Sequence, residues 1–124
     1  MPCGGNSKTP AVLIVEDELL VRLNAVRTIE NAGFKVIEAA NADEAIRILE
    51  SRRDIRVIFT DINMPGSMDG LKLAHAVRHR WPPIKIIVTS GRDDVSEQDL
   101  PAGGRFIAKP YDPTQITDAI SAWI

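Results

Sequence analysis

Six side chains in four separated stretches could work on one ligand if the fold gathers them: Glu16 with Asp17, Asp61, the hydroxyls of Thr89 and Ser90, and Lys109. Three carboxylates within a few Å repel, each close pair by about 4 kcal/mol at an effective dielectric of roughly 20, so such a cluster implies a cation. A donor set of oxygens with no His or Cys favours Mg2+, with Mn2+ as the alternative, over zinc. An aspartate facing an ammonium and a hydroxyl suits phosphoryl transfer. Carboxylate attack on phosphorus builds charge on the equatorial oxygens, and a metal, an amine and a hydroxyl donor are the groups that stabilise it.

Those residues converge only if each stretch ends a parallel strand, because open α/β sheets bind ligands in the crevice outside the carboxyl ends of their strands. The sequence supplies such strands. Ala11–Val15, Arg56–Thr60 and Ile84–Val88 are nearly continuous in branched apolar residues, as central strands covered on both faces require. Lys35–Glu38 and Arg105–Ala108 are shorter and more mixed, which suits edge strands. The acids Glu16 and Asp17 follow the first run, Asp61 the third, Thr89 and Ser90 the fourth, and Lys109 the fifth.

Helical patterns separate the runs. Leu19, Leu23, Val26 and Ile29 recur at helical spacing before Gly33, which supplies a stop. Asn41 with Glu44 forms a capping pair ahead of the stripe Ala42, Ala45, Ile46 and Leu49. A third helix is expected over about Gly70 to Arg80, with Leu73, Ala74, Val77 and Trp81 inward and Pro82-Pro83 ending it. The last is the best marked: Asp112 as cap, Pro113 in the first turn, Gln115 at the box position, and Ile116, Ala119, Ile120 and Trp123 as the buried stripe. From Arg92 to Gly104 few apolar residues occur and Pro101 precedes two glycines, so the fourth helix should be short or irregular. Strand and helix alternate throughout, which implies right-handed crossovers and a three-layer, doubly wound α/β fold with a five-stranded parallel sheet.

A chain of 124 residues, 44% hydrophobic, suits one core. The expected division is a flexible leader over residues 1–10 and one domain over residues 11–124. A formal net charge of -2 provides no basic field for nucleic acid. No apolar run approaches the roughly 20 residues of a membrane span, and the leader lacks a signal-peptide core, so a cytoplasmic protein is expected. Cys3 is the single cysteine, which rules out an intrachain disulfide. Two other patterns carry less. In Gly4 to Thr9 a serine stands where a phosphate-binding loop needs glycine before its lysine, and the segment precedes a strand instead of following one. His75 and His79 share a helix face without a third ligand, and a solvated face accounts for them.

Taken together, Val12-Leu-Ile-Val-Glu-Asp-Glu18, Phe59-Thr-Asp-Ile-Asn-Met-Pro65 with Asp69-Gly70, the pair Thr89-Ser90, and Ile107-Ala-Lys-Pro110 resemble the signature of bacterial two-component response-regulator receiver domains (CheY-like), in the family's order and over nearly the whole chain after the leader. That resemblance implies the strand order 2-1-3-4-5, the flavodoxin-like arrangement. It implies Asp61 as phosphoacceptor, Glu16 and Asp17 as the pair positioning magnesium, and Asn63 as a backbone carbonyl ligand. Thr89 would bond the phosphoryl group and switch with it, Lys109 would pair with the phosphoryl oxygens, and Lys109-Pro110 would be cis. The implied partner is a histidine kinase or a histidine phosphotransfer protein, and the chemistry would be self-directed phosphoryl transfer and autodephosphorylation, not turnover of a separate substrate.

The departures also carry expectations. Gly66-Ser-Met68 lengthens the loop beside Asp61, and Phe106 stands where relatives often carry a switching tyrosine, so it keeps the ring and loses the hydroxyl. A stand-alone receiver is the favoured organisation, with a receiver cut from a hybrid kinase or longer regulator close behind. Two other functions stay open: a pseudo-receiver that binds partners without phosphorylation, and a phosphatase with a nucleophilic aspartate. The phosphatase reading is weakened because Asn63 occupies the place of the second acid such enzymes generally have.

Overall fold

The computed structural model of the chain describes residues 9–64, 66, 68–91 and 95–123. Leader residues 1–8, with Cys3 and the Gly4 to Thr9 pattern up to Lys8, lie outside that description, as do Pro65 and Ser67 of the lengthened loop and 92–94 of the expected fourth helix.

Apolar runs become strands wherever the sequence marks them: β1 (Ala11–Val15), β2 (Lys35–Ala39), β3 (Ile55–Asp61), β4 (Lys85–Ser90) and β5 (Arg105–Ala108). All pair in parallel in the order β2-β1-β3-β4-β5. The three most apolar strands are central and the two mixed ones are edges, as covering both faces of a parallel sheet requires. Alternate residues feed two cores. Leu13, Val15, Ile58, Ile86 and Val88 face one, and Val12, Ile14, Val57, Phe59 and Ile87 face the other.

Among the described residues four α-helices cover those faces: α1 (Leu19–Asn31), α2 (Ala42–Ser51), α3 (Gly70–Arg80) and α4 (Pro113–Ser121). Helices α2 and α3 close the first core through Ala45, Leu49, Leu73 and Val77. Helices α1 and α4 close the second through Ala25, Ile29, Ile116 and Ile120. Each large aliphatic side chain taken fully out of water contributes on the order of 2 kcal/mol. The predicted caps form. Glu44 N donates to Asn41 Oδ1 at 2.8 Å while Ala40 N donates to Glu44 Oε1 at 2.7 Å, and Asp112 and Gln115 make the reciprocal box at α4. Trp81 and Trp123 are packing residues at the margins of the two cores, and the Arg80 guanidinium lies 4.4 Å from the Trp81 ring centroid.

Two stretches needed the structure. The apolar period in α1 predicts that Leu19 and Leu23 face inward; instead Leu19, Leu20 and Leu23 are exposed, and the buried residues of the helix are Ala25 and Ile29. The inward stripe lies on another face of the helix: Val21, four residues before Ala25, is half-buried and lines the crevice with Phe59 and Tyr111, which leaves Leu19 and Leu23 on the solvent side. Between β4 and β5, where a short or irregular fourth helix is expected, the described residues form one 3-10 turn, Glu97–Asp99, held by a Ser96/Asp99 capping box and followed by buried Leu100.

Candidate functional site

The central strands β1 and β3 end side by side, with Val15 in register with Thr60. That register delivers Glu16, Asp17 and Asp61 to one place. One carboxylate oxygen of each lies within 4.8 Å of the other two. Glu16 and Asp61 are buried, whereas Asp17 is exposed. From the far side β5 brings Lys109, whose Nζ donates to Asp61 Oδ2 at 3.1 Å and stands 3.9 Å from Glu16 Oε1. The second Asp61 oxygen accepts from Asn63 N at 3.3 Å.

The two ends of the loop after β3 are tied to their neighbours. Ile62 N donates to Thr89 O at 3.1 Å, and Gly70 N donates to Ile62 O at 2.9 Å. Gly70 begins α3 pressed against the Asp61 backbone so closely that a Cβ there would sit 1.8 Å from Asp61 O. Asp69 caps the helix by accepting from Lys72 N at 2.9 Å. The Asp69-Gly70 pair thus sets the direction in which β3 hands its last residue to the crevice.

Electrostatics follow from this burial. Removal from water drives the Glu16 carboxyl up to about 7, with Asp61 and Asp17 adding to the rise against the Glu18 backbone hydrogen bond and the Lys109 charge. Burial also opposes the Lys109 charge, yet the hydrogen bond and attraction from Asp61, helped by Glu16, hold its ammonium above the ordinary lysine value. Three crowded acids, one of them pushed toward neutrality, against one amine form a set that a hard divalent cation would complete. The residues present therefore fit Mg2+.

Thr89 is buried beside this cluster, but its hydroxyl donates to Ile107 O on β5 at 2.7 Å. Lys109 N donates to Ser90 O at 3.0 Å, which fixes the root of the lysine, and the Lys109-Pro110 bond is cis. Phe106 lies apart from the acids, half-buried on β5 and in register with Val88, with Thr89 in register with Ile107. Two residues of the site escape sequence reading. Tyr111 packs edge-on against Phe59 with ring centroids 5.9 Å apart and lines both the acidic crevice and a cleft of about 420 Å³ between α1 and α4. Burial raises its phenol above the ordinary tyrosine value. Arg22 reaches back from α1 to the Glu16 carbonyl. Tyr111 follows Lys109-Pro110 directly, a signal that could have been used; Arg22 sits among the leucines of α1 with no local mark.

The family model for the response regulator receiver domain matches residues 12–121. The chain is 36% identical over 118 residues to the sensor kinase CckA of Brucella abortus, covering 92% of this chain and 12% of that protein. It is 35% identical over 113 residues to the aerobic respiration control protein ArcA of Escherichia coli K12, covering 89% and 46%. It thus spans less than half the length of both. Among solved structures, a response regulator receiver protein from Sinorhizobium medicae superposes with a TM-score of 0.85 at 26% identity, over 94% of each chain. The receiver domain of the hybrid histidine kinase CckA superposes with a TM-score of 0.76 at 30% identity, over 91% of this chain and 97% of that one. With its strand order, its acid cluster and these matches, the chain belongs to the response regulator receiver domain family.

Proposed function

We propose that this domain takes a phosphoryl group onto Asp61 from a phosphohistidine on a histidine kinase or histidine phosphotransfer protein, and that the aspartyl phosphate changes which partner it binds. The observation that carries the reading is the contact of the Lys109 ammonium with a buried Asp61 carboxylate inside a three-acid cluster at the end of a central strand. Glu16, Asp17, Asp61 and the Asn63 backbone carbonyl would hold Mg2+, which when bound supplies positive charge to offset that gathering on phosphoryl oxygens.

An Asp61 carboxylate oxygen forms the new bond to phosphorus while the bond to the imidazole nitrogen breaks and the nitrogen keeps the electron pair. Lys109 turns its ammonium from Asp61 Oδ2 to the incoming phosphoryl oxygens, keeping one charge-assisted hydrogen bond throughout. Thr89 exchanges its bond to Ile107 O for one to the phosphoryl group, which frees a backbone carbonyl of the edge strand carrying Phe106. The modification thereby biases a two-state element already in the fold, and water later removes the group. A cytoplasmic setting fits this chemistry.

Incubation with Mg2+ and acetyl phosphate followed by intact mass tests the proposal. A labile adduct of one phosphoryl group, absent in Asp61→Asn, is the expected result. Absence of any adduct favours the pseudo-receiver, and turnover of many different phosphorylated substrates favours the phosphatase.

A further inference from the structure

The turn between β1 and α1 has to present two acids, and exposed Asp17 meets the cluster through the Glu16 side chain and along the main chain that joins the two residues. That main chain is pinned on each side of Glu16. Glu16 N donates to Ala39 O of β2 at 3.1 Å, and Glu18 N donates to Glu16 Oε2 at 3.0 Å. The remaining group, the Glu16 carbonyl that begins the peptide to Asp17, accepts from an Arg22 guanidinium nitrogen at 2.9 Å. Arg22 Nε in turn donates to Glu38 Oε1 on β2 at 3.1 Å. The arginine side chain is 16% exposed, so the fork is held and not splayed into solvent.

We propose that Arg22 is a positioning residue for divalent-cation binding: by clamping the Glu16 carbonyl to α1 and β2, it fixes the peptide that aims Asp17 at the cluster. This rests on the reading that Glu16, Asp17 and Asp61 hold a cation. The fork matters more than the charge. Outer partners that orient metal ligands generally set affinity by one to two powers of ten. A planar guanidinium can serve the carbonyl and Glu38 together, whereas a lysine ammonium on a flexible stem serves them less well.

Charge and positioning make opposite forecasts, which renders the test decisive. Arg22 is a cation beside a cation site, so by Coulomb's law alone its removal should tighten Mg2+ binding. Positioning forecasts the reverse. Calorimetric titration of the full chain with Mg2+ should show Arg22→Met weakened by roughly tenfold and Arg22→Lys weakened by a smaller factor although its charge is kept. Phosphorylation by acetyl phosphate should require correspondingly more Mg2+ for half-saturation while its rate at saturating Mg2+ stays close to that of the unaltered chain. Unchanged or tighter Mg2+ binding in both variants overturns the inference. If Arg22→Met does not fold, Arg22→Lys decides by the same criterion. Failure of the unaltered chain to bind Mg2+ at all is a different outcome: it removes the metal-site reading together with this inference, whereas normal binding there with unaffected variants removes this inference alone.

Discussion

The ends of β3 and β4 lie next to each other but are held very differently. At the end of β3, Asp61 has both carboxylate oxygens engaged, the following peptide bonded to β4, and Gly70 packed on its carbonyl with no room for another atom. At the end of β4, the Thr89 hydroxyl has one bond, to Ile107 O. Past it, the described part of the connection is one 3-10 turn, tied to α3 by the His75 ring at Asp99 O and by Arg78 at Ala102 O. The receiving group is over-determined and the reporting group is tied once. Chemistry benefits from a fixed nucleophile, and a switch needs a bond that can be exchanged at little cost.

The largest effect should come from breaking the rigid side. Gly70 is the first residue of α3, and the Gly70→Ala methyl would overlap a backbone oxygen that cannot rotate away. We expect destabilisation of about 3 kcal/mol or more and loss of phosphorylation, checked by urea unfolding and by adduct formation. A loss below about 1 kcal/mol would mean that the turn yields and is not over-determined.

A second prediction uses the acid driven up to about 7 at the same edge. Because its native value lies above the unfolded value of 4.5, Glu16 contributes stability that is complete below the unfolded value and lost as pH rises through about 7. The metal-free chain should therefore weaken over that window. Mg2+, which prefers the ionised acid, should raise the thermal midpoint more at pH about 8 than at pH about 5. Equal shifts at both would show that this carboxyl is already ionised.

On the loosely tied side the effect should be smaller and of another kind. Thr89→Val keeps the shape and removes the hydroxyl bond to Ile107 O, a loss of about 1 kcal/mol in unfolding experiments. Asp61 should still take phosphate, but the changes that phosphorylation produces in amide resonances of β5 should shrink. Undiminished changes there would assign the reporting role to another group.

How far the sequence foretells this arrangement depends on the range of the cause. The central and edge strands, the caps and the convergence of acids, hydroxyl and lysine were legible because branched apolar runs, Asn41/Glu44 and Asp112/Gln115 act locally and each chemical residue directly follows a run, while the full strand order came from the resemblance to receiver domains. The facing of α1 was not. Leu19 and Leu23 repeat at helical spacing just as Val21, Ala25 and Ile29 do, and only the assembled sheet shows which of these faces is turned inward. The Thr89 hydroxyl was foreseen at the site, but its bond to Ile107 O depends on the register of β4 with β5, which side-chain types do not encode. Arg22 was missed for the same reason: its partners, Glu16 and Glu38, come from β1's end and from β2.

The most direct test of the central claim is to locate the phosphoryl group chemically. After phosphorylation with Mg2+ and acetyl phosphate, borohydride reduction converts an aspartyl phosphate to homoserine, and peptide sequencing by mass spectrometry finds which residue changed. Homoserine at residue 61 and at no other acid is the predicted result. Conversion at Asp17, Asp69 or elsewhere with residue 61 intact would contradict the account.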